Sequence, residues 1–485
     1  MDSKILNALS VIATSLGLAF VFNFMFFDKL IGISVVVITA ILIGAVYLLG
    51  LRQQVSLRNA WWLVPLILFF AFMPGVRANE FLTFLNVCAT FGLLMLFAHE
   101  LIGTPTFLMR IYDYFILMTR VPFRMFGKAV STITLLTQIH GQVKHRDVWL
   151  RVLKGVVMAV PVLVVFGILF SQADLAFSQF LTSFVDITIT ERMVEYVVQW
   201  LFAFVATLSF LSYIFFSKRP ESNIAETSEA TKSVKSIEVM VFLGLIAALF
   251  LLFIGFQVTY LFGGEANILN AGFTYAEYAR QGFWELLAVA ALSLLVLLAS
   301  EKYAGVEGKK DKPFLVPALI LIAEVGVLMV SAFKRLSLYI DAYGMTALRF
   351  YAVGFIVFLV ALFILLAIKF IVLKRESFFA FGALLSLVVL LITVNLVNPD
   401  AFIARANLER YNQTGKIDLP YMSELSADAQ SWKIELYKKL EGGDRGYLQM
   451  SLERQKARLE IDRADWQSAN LARARAWEML QALGI

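Results

Sequence analysis

The chain has 485 residues, of which 60% are hydrophobic and only 16% carry a charged side chain. Soluble domains carry about a quarter charged residues, so this composition indicates an integral membrane protein. The net charge of +6 is an excess that cytoplasmic loops of membrane proteins supply, and it is no evidence for nucleic-acid binding. The single cysteine, Cys88, excludes an intrachain disulfide and a cysteine-based metal site.

Eleven apolar runs approach or reach the length of about 20 residues that a bilayer-spanning helix needs. The predicted spans are residues 5–27, 30–51, 60–76, 80–98, 155–171, 194–216, 238–262, 283–300, 314–333, 349–373 and 378–397. The first run lacks a small-residue cleavage site, so it is predicted to be a retained span. Residues 104–128 are apolar but interrupted by proline and charge, and they are predicted to lie at the membrane interface.

Lysine and arginine between the spans set the predicted orientation. With the N-terminus in the cytoplasm, the cytoplasmic loops hold 21 of these residues and the outer loops hold six. The positive-inside rule therefore predicts a cytoplasmic N-terminus. The odd number of spans then places the C-terminal tail outside the cytoplasm.

The predicted fold is an all-α polytopic transmembrane helical bundle with a small extracytoplasmic helical domain at the C-terminus. Residues 1–98 form a four-helix membrane block, and 99–154 form a basic cytoplasmic or interfacial connector. Residues 155–397 form a seven-helix membrane block, and 398–485 form the tail. The tail has no long apolar run, and its 13 basic residues balance its 13 acidic residues.

Three segments that the topology brings to the outer face are rich in charge and tyrosine. The segment "FTYAEYARQGFWELL" starts at residue 273, "FKRLSLYIDAYGMTALRFY" at 333, and "TVNLVNPDAFIARANLERYN" at 393. One interpretation is an aromatic belt with interfacial ion pairs; the other is a ligand-binding pocket. The candidate ligand-binding residues are Tyr275, Glu277, Tyr278, Arg280, Glu285, Tyr339, Asp341, Tyr343, Arg349, Asn398, Asp400, Arg405 and Arg410.

Two of these candidates, Glu277 and Glu285, are eight residues apart, about two helical turns, and so share a face. Since that face is poor for lipid, we expect a carboxylate oxygen there within about 4 Å of an arginine, with Arg349 and Arg405 the expected partners. Asp400 has a second interpretation, as a cap of the helix that starts after Pro399.

Glu324 lies near the centre of the ninth predicted span. An ionisable group at that depth costs at least about 2.5 kcal/mol and is a candidate functional residue. The alternative is a protonated side chain that hydrogen-bonds a neighbouring helix, such as one carrying Gln257 or Asn395. Lys369 lies near the inner end of its span and is predicted to extend toward the interface.

No established phosphate, nucleotide, protease or hydrolase motif occurs in the sequence. His140 and His145 are five residues apart, which does not match the i, i+4 spacing of a helical metal site. The sequence therefore predicts no metal and no cofactor. The basic connector is predicted to contact anionic lipid and not nucleic acid.

Several blocks resemble a bacterial polytopic membrane family known only as a domain of unknown function. They are "YAEYARQGFWELLAVAALSLLVL", "YGMTALRFY", "NPDAFIARANLERY", "LPYMSELSADA" and "WQSANLARARA". The resemblance covers residues 238–485 well and the N-terminal half only in general pattern. It implies a multi-pass protein of the bacterial cytoplasmic (inner) membrane, and it implies no reaction.

The leading functional hypothesis is a non-enzymatic envelope protein that binds a lipid headgroup or cell-wall precursor at the outer face, as sensor, scaffold or carrier. Its expected partners are membrane lipids and an envelope precursor or another membrane protein. One alternative is a proton-coupled transporter that uses Glu324. Another is a lipid-linked glycosyl or phosphoryl transferase, which needs acidic residues such as Glu277, Asp341 or Asp400.

Overall fold

A computed structural model describes residues 3–53, 58–103, 105–136, 191–217, 232–261, 282–306, 311–372, 375–462 and 465–484. These ranges contain α-helices, short 3-10 turns and connecting segments, and no strand. The membrane part contains α1 (Ser3–Phe26), α2 (Ser34–Gln53), α3 (Val64–Phe72), α4 (Glu80–Leu101), α5 (Ile111–Thr119), α6 (Val121–Leu136), α7 (Glu191–Phe216), α8 (Lys232–Leu261), α9 (Phe283–Ala304), α10 (Lys312–Tyr343), α11 (Ala347–Val372) and α12 (Glu376–Val397). The C-terminal domain (residues 399–484) contains α13 (Pro399–Thr414), α14 (Leu419–Glu424), α15 (Gln430–Lys439), α16 (Gly442–Asp462) and α17 (Leu471–Ala482).

Nine helices within the described ranges are long and apolar enough to cross a membrane: α1, α2, α4 and α7 to α12. The outward sides of these helices are apolar; Leu245, Leu249 and Leu252 of α8, for example, are each more than 60% exposed. A water-soluble bundle would not expose such a surface, whereas lipid requires it. The prediction of an all-α polytopic membrane bundle is therefore confirmed.

The two remaining predicted spans have different outcomes. The run 60–76 forms a shorter apolar helical segment, Ala60–Gly75, in which α3 is flanked by 3-10 turns. The run 155–171 lies outside the described residues. Residues 104–128 form no single long helix, because α5 ends at Thr119 and α6 begins at Val121.

Two hydrophobic cores hold the membrane helices together. The first core contains residues of α1, α2, α3, α4, α6 and α7, among them the fully buried Phe97 and Leu211. It also includes Val388 of α12. The second core contains residues of α8, α9, α10 and α11, and it includes Phe379, near the start of α12. Helix α7 thus packs with the N-terminal helices, although the sequence grouped it with the later ones, and α12 contributes to both cores.

The C-terminal domain has its own core of buried leucines, alanines and aromatic residues, including Leu408, Leu436 and Leu448. Its first helix follows α12 after one residue: Asn398 takes a left-handed conformation (φ 61°) and Pro399 starts α13. Asparagine tolerates positive φ, and proline suits the first position of a helix. The chain turns there from the membrane bundle into the domain.

We call the end of the bundle that carries this domain the domain end and the opposite end the basic end. α1 finishes at the domain end, since the Phe24 carbonyl accepts a hydrogen bond from Gln467 Nε2 at 3.4 Å. α2 begins there, because the Ile33 N–H donates to the Ala469 carbonyl at 3.0 Å. α1 therefore starts, and α2 therefore finishes, at the basic end, where Arg52 lies in the last turn of α2.

Candidate functional site

The ends of α10 and α13 meet at the domain end, so two of the three predicted outer-face segments lie together. The Asn407 side chain forms two hydrogen bonds with the backbone of Met345: its Oδ1 accepts from the N–H at 2.9 Å and its Nδ2 donates to the carbonyl at 2.8 Å. Gly344 beside it has φ +82°, and a Cβ there would lie 2.6 Å from Asn407 Oδ1. Only glycine fits this position. In the third segment, Tyr275, Glu277, Tyr278 and Arg280 lie outside the described residues.

Arg349 and Arg405 do not form the ion pairs expected of them with Glu285. The Glu285 side chain is exposed and has no ion pair with either arginine. The Arg349 guanidinium instead lies 3.9 Å from the centre of the Tyr339 ring, and Arg405 Nε donates to Glu409 at 2.8 Å within its own helix. The expected contact through Glu285 is therefore wrong: Arg349, near the start of α11, packs on the Tyr339 ring, and Arg405, within α13, pairs with Glu409. The expected contact through Glu277 falls outside the described residues.

Asp400 and Asp428 form the centre of a buried network that attaches the C-terminal domain to the bundle. Asp428 Oδ2 accepts from the backbone N–H of Ala78 at 2.6 Å and of Asn79 at 3.2 Å. Its Oδ1 accepts from Asn398 Nδ2 at 3.1 Å. Burial raises the pKa of Asp428 above its ordinary value, and the hydrogen bond from Ala78 opposes that rise.

Asp400 is not the cap of its own helix, since that position belongs to Asn398. Its side chain accepts from Asn79 Nδ2 at 2.9 Å and from the Ser426 N–H at 3.0 Å. It therefore joins α4, α13 and the 3-10 turn after α14. Because both carboxylate oxygens have donors, Asp400 is a structural residue of the interface.

Arg77 supplies the positive charge of this network. Its Nε donates to the Asn395 carbonyl at 2.9 Å, and its guanidinium lies 3.9 Å from Asp428 Oδ1. The last turn of α12 is further tied to α4 by the reciprocal amide pair of Asn86 and Asn395, at 2.9 and 2.7 Å. Sequence reasoning missed Arg77, Asn79, Asn86 and Asp428. The available signals were polar residues within or beside apolar runs at 77–79 and 86.

Asn470 attaches the other side of the domain to the bundle. Its Nδ2 donates to the Pro74 and Arg77 carbonyls at 2.8 and 2.7 Å. The "WQSAN" stretch that precedes α17 also packs against the connection between α1 and α2, where a Cβ at Gly32 would lie 2.6 Å from the Ala469 carbonyl. The domain thus contacts residues near the start and near the end of the membrane part.

Glu324 is buried in α10, and its Oε2 has no hydrogen-bond partner among the described residues. The two partners considered from the sequence are engaged elsewhere. Gln257 Oε1 accepts from Ser331 Oγ at 2.8 Å and from Arg335 at 3.2 Å, and Asn395 pairs with Asn86. Glu324 therefore remains a candidate functional residue.

Lys369 does not extend to the interface as predicted. Its side chain is 1% exposed and forms a buried ion pair with Glu301, which links α11 to α9 near the basic end. The prediction failed because the Glu301 carboxylate, on the neighbouring helix α9, pairs with the ammonium group inside the bundle. Charges taken out of water must be paired in this way.

A small cleft lies at the edge of the domain, where α10, α13 and α14 meet. Its lining residues are Tyr343, Met345, Thr346, Asn407, Arg410, Lys416, Ile417, Asp418 and Tyr421, and its volume is about 30 Å³. Arg410 is held by the carbonyls of Asp341 at 3.3 Å and Ala342 at 2.7 Å. Two predicted site residues, Tyr343 and Arg410, therefore line one cavity, and the backbone of a third, Asp341, positions it.

Lys433 is a buried lysine of α15 with no carboxylate bonded to it among the described residues. Its ammonium donates to the carbonyls of Ser423 at 3.0 Å and of Leu425, at the end of α14. Burial lowers its pKa to about 8, and the charge of Asp400 opposes that shift. The residue thus caps the carbonyl end of α14.

This pKa predicts a rise in stability at alkaline pH. The ordinary lysine pKa is 10.5, so between pH 8 and 10.5 the unfolded chain binds more protons and the folded state gains stability as pH rises. From pH 7 to pH 9 we expect a gain on the order of 1 kcal/mol. The check is the melting temperature of the wild type relative to Lys433→Met at both pH values. Lys438→Met, on the exposed side of α15, is the control; equal pH responses of wild type and Lys433→Met would contradict the expectation.

Comparison with known proteins gives a family and no activity. A search of curated proteins and a search of solved structures each found no match. Residues 63–435, more than half of the chain, match the family described as Domain of unknown function (DUF4153). This range includes α4, the Asp400–Asp428 network and the cleft. The chain is therefore an integral, multi-pass membrane protein that belongs to the DUF4153 family.

Proposed function

We propose that this protein binds a lipid headgroup or cell-wall precursor at the domain end of the bundle, as a sensor, scaffold or carrier in the bacterial cytoplasmic membrane. The observation that carries the proposal is the attachment of the C-terminal domain. Hydrogen bonds that Asp400 and Asp428 accept, and one that Asn470 donates, fix the domain over the ends of the membrane helices. A rigid polar surface beside a lipid-exposed one is the arrangement that headgroup recognition needs.

We further propose that the domain end faces away from the cytoplasm. The opposite end carries Arg52, Lys302 and Lys312 at the ends of α2, α9 and α10, and the positive-inside rule places such residues on the cytoplasmic side. Reporter fusions after residues 305 and 420 are expected to read inside and outside, respectively. A cytoplasmic signal from the fusion after 420 would place the ligand surface on the other side of the membrane.

Photo-crosslinking at matched lipid-exposed positions tests the binding function. A photoreactive residue at Phe402, which is 42% exposed at the domain end, is expected to capture one discrete headgroup-bearing species. The same residue at Ile371, which is 62% exposed near the basic end, is expected to capture only bulk lipid in proportion to its abundance. Identical lipid profiles at the two positions would contradict headgroup binding.

Proton-coupled transport is the second candidate, and Glu324 is the observation that favours it. Its buried Oε2, for which the described part of the chain offers no hydrogen-bond partner, is typical of the intramembrane carboxyl groups that exchange protons in transporters. Proteoliposomes report this activity as proton uptake that Glu324→Gln abolishes. Uptake that is absent from the wild type, or unaffected by the substitution, excludes this role for Glu324.

The third function considered, a transferase, has less support. Asp400, one of its candidate acidic residues, has both oxygens engaged in the domain interface. Such a carboxylate is not free to act as a base.

A further inference from the structure

The cleft of about 30 Å³ between α10, α13 and α14 has the composition of an anion site. Arg410 lies in its wall with three hydrogen bonds, all to backbone carbonyls: Asp341 and Lys416 at 3.3 Å and Ala342 at 2.7 Å. Carbonyls fix the guanidinium in place without neutralising its charge. Since arginine has five N–H donors, two remain for a ligand.

Lys416 adds a second positive charge to the cleft. Its side chain is exposed, and its ammonium has no partner among the described residues. Asp418 is the one acidic residue in the lining, and its Oδ1 is occupied by the Tyr421 N–H at 3.0 Å. The lining therefore carries a net positive charge, with hydroxyl donors from Tyr343 and Thr346 nearby.

The cleft lies at the level where lipid-facing surface begins. Tyr343, the last residue of α10, is 53% exposed, and Leu348, in the first turn of α11, is 64% exposed. The Tyr421 hydroxyl accepts from the Ala347 N–H at 2.7 Å, which fixes the cleft wall to the start of α11. A group bound in the cleft therefore lies at the level of the lipid headgroups.

Size and charge together select the ligand. A cleft of about 30 Å³ that opens to the surface does not enclose a whole headgroup, so a ligand places only a small anionic group, such as the oxygens of a phosphate, against Arg410 and Lys416. We propose that Arg410 and Lys416 bind the phosphate of a headgroup whose remaining atoms lie outside the cleft. This inference rests on the proposed function, because it specifies the group recognised at the domain end.

Native mass spectrometry of the full-length protein, reconstituted with phosphatidylglycerol and phosphatidylcholine in equal amounts, tests the site. We expect the wild type to retain phosphatidylglycerol preferentially, because the choline cation of phosphatidylcholine offsets the charge of its phosphate beside Arg410 and Lys416. Lys416→Gln should retain about tenfold less phosphatidylglycerol, the effect of one charge-assisted hydrogen bond. Lys438→Gln, an exposed cation of the domain outside the cleft, is the matched control and should behave as wild type. Arg410→Lys keeps the charge and loses the bidentate geometry, so we expect an intermediate loss.

The possible results distinguish a failure of the cleft assignment from a failure of the proposed headgroup binding. Displacement of the retained lipid by millimolar inorganic phosphate identifies free phosphate as an equal ligand, whereas resistance identifies the lipid headgroup; both support a phosphate site. Equal retention by wild type and Lys416→Gln overturns the cleft assignment and leaves headgroup binding elsewhere at the domain end intact. No selective retention by the wild type, together with matching crosslinking profiles at 402 and 371, overturns both proposals.

Discussion

Replacing Asp428 by alanine is expected to loosen the C-terminal domain from the membrane bundle. The Asp428 carboxylate is 2% exposed and accepts from the N–H groups of Ala78 and Asn79 and from the Asn398 amide. Its removal leaves these half-buried donors without their acceptor and the Arg77 guanidinium without its nearest carboxylate. At about 1–3 kcal/mol for each unsatisfied group, we expect a loss of about 4 kcal/mol in the stability of the docked state.

Hydrogen exchange in lipid nanodiscs reports this change residue by residue. Exchange at Ala78 and Asn79 should become faster in Asp428→Ala, whereas amides in the core of the domain, around Leu436, should remain protected. Asp444→Ala, in the exposed first turn of α16, removes the same charge from the same domain and should leave exchange unchanged. Unaltered protection at 78 and 79 in Asp428→Ala would show that the domain is held by other contacts.

Asp428→Asn distinguishes the charge of the side chain from its shape. One oxygen remains to accept a backbone N–H, and the desolvation penalty of a buried carboxylate disappears. We therefore expect a smaller loss than for alanine. A loss as large as that of Asp428→Ala would assign the whole effect to the second carboxylate oxygen and the negative charge.

Breaking the ion pair between Lys369 and Glu301 is expected to have the second large effect. Both side chains are buried, at 1% and 8% exposure, and they join α11 to α9 near the basic end. Lys369→Met leaves a buried carboxylate, and Glu301→Met leaves a buried ammonium. Glu301→Met should cost about 3–5 kcal/mol, because the Lys369 ammonium then remains out of water without its carboxylate, and Lys369→Met, which removes the ammonium from beside Glu301, should also destabilise the bundle.

The double substitution Glu301→Met with Lys369→Met is expected to recover most of this loss. Two apolar side chains of similar length replace the pair and carry no charge to desolvate. Thermal unfolding in detergent of the wild type, both single variants and the double variant gives the coupling between the two sites. Lys302→Met, at the exposed neighbouring position, is the control. Additive losses in the double variant would mean that the two side chains do not act as a pair.

The arrangement of the interface explains how much of the candidate site could be predicted. Positive-inside counting placed the ends of α10 and α13 on one face, and the structure brings Tyr343 and Arg410 into one cleft. The predicted pairing of Glu285 with an arginine is wrong, because helical periodicity predicts the face of the helix on which a residue lies. It does not predict which residue of another helix lies opposite that face. The role of Asp428 could not be predicted from the sequence, because the residue lies in a polar tail, where acidic residues are common.

The sequence by itself determined the class of the fold. A bilayer requires about 20 apolar residues in a helix and internal hydrogen bonding of every backbone group, and both conditions are local. Apolar runs therefore predicted the nine long helices, and the end of the last run predicted the start of the C-terminal tail.

Only the tertiary structure decided which polar groups meet. Asp428 bonds to Ala78 across 350 positions of the chain, Asn86 to Asn395 across 309, and Lys369 to Glu301 across 68. Many arrangements of apolar helices satisfy lipid equally well, so composition and periodicity do not specify which helices are neighbours. The choice among them is made by side-chain packing and by the need of each buried charge and amide for a partner, and these are properties of the assembled bundle.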